Sequence, residues 1–312
     1  MSMLLLILPT WGFFAHQRIN EYAVYLLPPE LIAFYKPHIG FLSEHATDPD
    51  KRRYALPEEG ARHYIDLDRY GSYPFPSLPR RWEDAIEKFS ADTVESRGTV
   101  PWWIQVQLGR LTKAFRDKDP GRALRISAEL GHYIADAHVP LHACHNHDGQ
   151  YTGQRGIHGF WESRLPELLA DKGWDFLIGK AAFISDPAAF IWDRILESAA
   201  AADTVLRIEK HLTERTPPGG KYAFEERNGV LTRQYASGFS RTYDRLLNGM
   251  VERRMRESVW AVASFWYTAW IRAGQPGLQP LNGPLSEQDR AEMESLNEAW
   301  RRTGGSTREH RN

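Results

Sequence analysis

The sequence predicts an all-α fold, and three observations predict it. Apolar residues recur at spacings of three and four over most of the chain, the period of one helix face. Strand-like alternation is nearly absent. Proline and glycine punctuate the periodic stretches, ending helices and opening turns. The first stretch runs from Phe13 to Leu27 and stops at Pro28-Pro29. Trp82–Phe89 and Trp102–Phe115 carry the next two, with Asp119-Pro120-Gly121 as the break after the second. Arg122–Val139 is a strong helix closed by Pro140. Ile157–Ala170, Phe190–Leu212 and Leu231–Ala273 supply the rest, the last as two helices. Loops are expected at Gly71–Arg80, His145–Gly156 and Thr216–Gly229. No repeat or mid-chain linker interrupts residues 11–275, which read as one domain. Residues 276–312 are polar and Gly/Pro-rich and read as a partly disordered tail.

Composition narrows the function classes. With 42% hydrophobic residues and 11 tryptophans, the chain can bury a sizeable core. Its 39 Lys and Arg against 40 Asp and Glu leave no electrostatic footprint for duplex DNA or an anionic membrane. Cys144 is the single cysteine, so no intrachain disulfide forms and stability must come from packing or from metal. The first ten residues, MSMLLLILPT, fit either a buried N-terminal segment or the end of a secretion signal that lacks its basic region. Val259–Ile271 is too short for the roughly 20 apolar residues of a membrane span.

The densest chemistry lies in His132–His142 (HYIADAHVPLH) and His158–Glu162 (HGFWE). Residues four apart share a helix face, so His132 can meet Asp136 and His158 can meet Glu162. One such pair alone is most simply a surface hydrogen bond. Two pairs around His142, flanked by Ile134, Leu141, Phe160 and Trp161, argue instead for faces turned inward. Buried imidazoles and carboxylates are costly unless paired or metal-bound. Imidazole nitrogen and carboxylate oxygen are donors that zinc accepts, and this many of them suggest more than one ion. His16, Asp48 in HATDPDKRR and His63 in HYIDLD fit the same logic, though each alone reads as a core histidine or a turn aspartate. His138, His145 and His147 are left out of the ligand set, and Cys144 is not needed for it.

The ordered set Trp11, His16, Asp48, His63, His132-x3-Asp136-x5-His142, His158-x3-Glu162 resembles the trinuclear zinc site of the superfamily that unites bacterial zinc-dependent phospholipase C with fungal and plant single-strand nucleases. The resemblance spans roughly residues 11–170 and implies a single multi-helix domain of that type with three Zn2+ ions. It implies one ion on Asp48, His63, His132 and Asp136, and a second on His142, His158 and Glu162. It implies a third on His16, on Asp136 as a bridge, and on the backbone amine and carbonyl of Trp11. That role needs Trp11 as the mature N-terminus, which turns residues 1–10 into a truncated secretion signal and the protein into a secreted or periplasmic one.

The activity implied is hydrolysis of a phosphodiester by zinc-activated water. Asp48 is the expected base or orienting group, Lys51 or Arg52 the neutraliser of a phosphate oxygen, and Tyr64 a platform for a base or a wall for a headgroup. The substrate is divided between a single-stranded nucleic acid or 3′-nucleotide and a phospholipid headgroup. His16, five residues after Trp11, resembles the nuclease branch, whereas glutamate at position 162 resembles the phospholipase branch. The turn Asp148–Gly156 departs from the nucleases' Gly-Gly-Asn and Asn-Leu-His pattern, and their disulfides are impossible with one cysteine. A non-catalytic zinc-stabilised binding protein is the alternative from another class. The three side-chain ligands of the second ion leave a position open, which favours catalysis. A di-iron bundle would repeat Glu-x-x-His, which this chain does not do.

Overall fold

Prolines that read as breaks also start the helices that follow them, because the first helical turn needs no N–H from them. Pro29, Pro49, Pro101, Pro120, Pro166 and Pro187 all stand in a first turn. The computed structural model describes residues 12–227 and 230–278, with residues 287, 290, 291, 293–295 and 298 beyond them. The expected signal segment 1–10, Trp11 and most of the expected tail lie outside the described residues.

The chain is mostly helical. In order it forms α1 (Phe13–Val24), α2 (Pro29–Tyr35), α3 (Ile39–Glu44), α4 (Asp48–Arg52), α5 (Trp82–Phe89) and α6 (Ala91–Ser96). There follow α7 (Val100–Arg116), α8 (Pro120–Ala137), α9 (Ile157–Gly159), α10 (Leu165–Gly173), α11 (Pro187–Arg215), α12 (Ser237–Leu246) and α13 (Met250–Arg272). Two 3-10 turns, Gly60–His63 and Pro140–Ala143, and a π-wound segment, Phe160–Arg164, matter for the site.

The helix expected from Leu231 is instead a strand. Tyr222–Arg227 (β1) and Val230–Tyr235 (β2) pair antiparallel, with Tyr222 opposite Tyr235 and Arg227 opposite Val230. Asn228-Gly229 between them is the strongest two-residue hairpin signal, although both residues are outside the described ones. The hairpin is fastened to the π segment: Phe160 stacks on Tyr235 at 3.8 Å, and Arg164 Nε donates to the Tyr235 carbonyl at 3.2 Å.

α8 is the central element, buried on nearly every side between α1, α3, α7, α11 and α13. Its start is set by Asp119, whose side chain accepts from Arg122 N at 3.0 Å. One hydrophobic cluster runs through the chain from Ala15 to Trp270. Where α1 crosses α8, a Cβ on Gly131 would stand 2.0 Å from Asn20 Oδ1. Asn20 Nδ2 donates to the carbonyls of Leu42 and Ala128, 3.1 Å each, so it ties α1 to α3 and α8. Gly131→Ala is therefore expected to cost about 1–3 kcal/mol by forcing this crossing apart. A lower urea midpoint at unchanged slope would show it, and an unchanged midpoint would contradict it. Among the described residues no helix is long and apolar enough to cross a membrane.

Candidate metal centre

The turn beside His132 is what makes α8 useful. His132 and Asp136, four apart, share one buried face, and each is 1% exposed. The helix ends at Ala137, and Pro140 opens the 3-10 turn that brings His142 back towards that face. α1 contributes His16, and the turn Gly60–His63 contributes His63. α9 carries His158, and the π segment carries Glu162.

The Asp136 carboxylate is the focus. Its Oδ2 lies 2.9 Å from His63 Nδ1 and 3.2 Å from His132 Nε2. Its Oδ1 lies 3.5 Å from His16 Nε2 and 3.8 Å from His142 Nε2. Glu162 forms a second focus, with Oε2 at 3.1 Å from His158 Nε2 and 3.3 Å from His142 Nε2. Three groups of side chains could each hold a metal ion: His16, His132 and Asp136; Asp50, His63 and His132; His142, His158 and Glu162. Within each group the ligand atoms lie within 4.8 Å of one another.

Hydrogen bonding decides which nitrogen of each ring faces inward. His132 Nδ1 lies 2.9 Å from the Ala46 carbonyl, His142 Nδ1 2.7 Å from the His63 carbonyl, and His158 Nδ1 3.2 Å from the His147 carbonyl. A carbonyl only accepts, so each Nδ1 carries a proton and each Nε2 turns towards the carboxylates. In a neutral ring that Nε2 is a lone pair facing carboxylate lone pairs, an arrangement that needs a cation or a proton between them. Asp50 Oδ2 and His63 Nε2 are buried without a hydrogen bond, which adds further unused donor atoms. The residues therefore fit a bound metal ion, held by rings oriented through their outer N–H groups.

Without an ion, protons take its place. Burial works against a charged imidazole, yet Asp136 and Asp50 lift His132 to about 9. Burial opposes charge at His158 too, and Glu162 still lifts it to about 9. Glu162 falls to about 2 because His158 and His142 outweigh its burial. Asp136 likewise lies well below the usual carboxylate range, its burial outweighed by His132 and His142. His16 and His63 go the other way, lowered chiefly by burial.

Asp48 does not lie where the resemblance puts it. Its Oδ2 is 2.6 Å from His45 Nδ1, and its Oδ1 accepts from Lys51 Nζ at 2.9 Å. Asp50 takes the expected position instead, with Oδ1 at 3.9 Å from both His63 Nδ1 and His132 Nε2. The reason is helix phase. Asp48 opens α4, and two residues turn a helix by roughly 200°, so Asp48 and Asp50 face opposite sides. The doubled aspartate in DPDKRR is the only signal that points to Asp50. Asp50→Asn is expected to reduce the metal bound per chain, while Asp48→Asn leaves it unchanged. Elemental analysis of the purified variants measures this, and equal loss in both would return Asp48 to the ligand set.

The two expected phosphate-binding cations are also engaged elsewhere. Lys51 pairs with Asp48, and the part-buried Arg52 is held by Glu59 (3.1 Å) and Glu129 (2.8 Å), with Tyr133 OH at 3.2 Å. The cation beside the centre is Arg53, Nη1 3.6 Å from Asp50 Oδ1. Tyr64 is buried and its hydroxyl donates to the Ser96 carbonyl at 3.3 Å. Arg53 and Tyr64 both line a cavity of about 1250 Å³ walled by Trp82, Trp102 and Trp103.

The excluded histidines belong to none of the three groups. His138 Nδ1 bonds the Ile134 carbonyl at 2.7 Å, and burial beside Arg254 keeps the ring far below the usual imidazole range. His145 lies 2.9 Å from Asp66 Oδ2 and 2.7 Å from Tyr151 OH. His147 is pushed down to about 3, by burial and then by His158. Burial raises the Cys144 thiol, which keeps it from acting as a thiolate. Trp11 lies outside the described residues; the next residue, Gly12, packs on Ser163 beside Glu162. Compared with known proteins, the chain matches no protein-family model and no curated sequence.

Proposed function

We propose that the protein is a zinc-dependent phosphodiester hydrolase, acting on single-stranded nucleic acid or 3′-nucleotides. The observation that carries the reading is the inward-turned set of imidazoles around Asp136 and Glu162, three of which, His132, His142 and His158, are oriented by an outer N–H on a backbone carbonyl. Zinc at such a site supplies Lewis acidity and lowers the pKa of a coordinated water, so that hydroxide exists near neutral pH. Asp136, between the two groups of histidines, serves as the shared carboxylate. Asp50 takes over the ligand and orienting role expected of Asp48, and Arg53 the phosphate contact expected of Lys51 and Arg52. Tyr64, on the wall of the adjoining cavity, is positioned to line the part of the substrate beyond the phosphate.

Three ions, a free amine at Trp11 and export from the cytoplasm belong to the same reading; N-terminal sequencing of secreted material tests the last two. Phospholipase C activity is the second reading, favoured by glutamate rather than aspartate at position 162. Metal analysis followed by parallel assays on single-stranded DNA, RNA, 3′-nucleotides and phosphatidylcholine decides between them. Hydrolysis of the nucleic acids or nucleotides, lost on chelation and restored by zinc, is the expected result. Turnover of phosphatidylcholine alone would move the assignment to phospholipase, and a metal-free, inactive protein would remove both.

A further inference from the structure

The turn Asp148–Gly156 contributes no residue to the three ligand groups, yet it is bonded directly to one of their members. α9 begins from Gly156 as its N-cap, at φ +91°, the left-handed region that favours glycine. A glycine there carries no side-chain oxygen, so the second helical residue, His158, has no local cap for its N–H. Asp148 supplies the cap from earlier in the chain. Its Oδ1 accepts from Gly156 N at 2.8 Å and from His158 N at 3.2 Å. The preceding residue acts on the same histidine, because the His147 carbonyl accepts from His158 Nδ1 at 3.2 Å. Asp148 thus holds the backbone of His158 and its neighbour holds the ring. His158 Nε2 is left facing Glu162 Oε2 at 3.1 Å.

The turn is itself braced, which lets it act as a support. Gln150 Oε1 accepts from Asp148 N at 3.0 Å, and Gln150 Nε2 donates to the His145 carbonyl at 2.7 Å. Gln154 N donates to the Gly149 carbonyl at 2.9 Å. Gln154 Nε2 reaches α11, at the Leu206 carbonyl (2.8 Å) and Glu209 Oε2 (2.5 Å). Buried Glu209 is balanced by Lys221 Nζ at 2.6 Å. The Asp148 carboxylate therefore stands on a turn that is tied to a long helix.

We infer that Asp148 is a positioning residue for the ion of the second group, His142, His158 and Glu162, and acts on it through His158. This role rests on the proposed zinc reading and adds a residue to it. Helix starts fray unless capped, and a metal–ligand bond tolerates only about 0.2 Å of displacement. Outer partners of metal-binding histidines are commonly worth about tenfold to a hundredfold in metal affinity. The role is one of placement rather than charge: it needs an acceptor where Oδ1 stands, and an amide oxygen supplies one equally.

The test is competition for zinc between the loaded protein and a chromophoric chelator, with the second ion identified as the one that His158→Ala removes. In Asp148→Ala that ion is expected to bind about tenfold to a hundredfold more weakly, a larger loss than at the ligands around Asp136. Asp148→Asn keeps the acceptor without the charge and is expected to retain most of the affinity. Asp148→Glu keeps the charge, displaces the acceptor and is expected to weaken the same ion, so the pair decides the question even where Asp148→Ala does not fold. Added to His158→Ala, Asp148→Ala is expected to change zinc binding no further, whereas a merely structural turn would lower it again. Wild-type affinity in Asp148→Ala would overturn the inference, as would equal losses in Asp148→Asn and Asp148→Glu or a further loss in the double variant. Wild-type protein that takes up no zinc would overturn the metal reading itself, and this role with it.

Discussion

Asp136→Ala is expected to empty both halves of the metal centre and to cost the fold about 3–5 kcal/mol, the penalty for removing one partner of a buried ionic cluster. Four imidazole nitrogens, from His16, His63, His132 and His142, lie within 3.8 Å of its two oxygens. Without the carboxylate, His132 loses the main group that holds its charge and shares a buried space with His16, whose ring stacks on it at 3.9 Å. Asp136→Asn separates the two contributions, since it keeps the shape and removes only the charge. Metal loss with a smaller drop in stability is expected there. Elemental analysis and urea unfolding of both variants measure it, and full metal content in Asp136→Ala would end the assignment of a shared carboxylate.

Arg52→Met should destabilise the protein by a similar amount, about 3–5 kcal/mol, while leaving bound metal in place. The guanidinium reaches Glu59, Glu129 and Tyr133 at once, and Glu59 also receives Arg62 and the Tyr133 hydroxyl. Removing it leaves Glu129 without its ion pair and fully buried Glu59 with Arg62 as its remaining guanidinium partner. Adding Glu129→Gln to Arg52→Met should recover part of the loss, because one stranded charge is then gone. A phosphate-binding role predicts the opposite pattern: unchanged unfolding and a raised KM. Thermal unfolding beside substrate titration distinguishes the two.

The ligand spacings are legible in the sequence because they depend only on helix periodicity. His132 with Asp136, and His158 with Glu162, meet as four-residue spacing demands, even though the second pair crosses into π winding. Asp48 and Asp50 are not separable in this way. Which of them faces inward depends on where α4 begins, and a five-residue helix has no apolar period from which to read its phase. Arg52 misleads for a different reason. Its nearness in sequence to the aspartates is visible, while its partner Glu129 comes from the middle of α8. The hairpin was readable, since Asn228-Gly229 outweighs the helical period that follows, which begins only at Ser237. Helix starts fall earlier than periodicity suggests at Pro101, Pro120 and Pro187, where the residue that ends one pattern begins the next.

His63 has two attachments of different kinds. Its ring nitrogen faces Asp136, while its own carbonyl receives the outer N–H of His142, a ligand of the other group. Any ion that pulls the His63 ring into place also fixes the peptide that aims His142. If both groups hold ions, they share one mechanical hinge, and occupancy at the first is expected to raise affinity at the second. On the proposed reading, zinc titrated into chelator-treated protein is expected to load as a cooperative pair, with few molecules stopping half-filled.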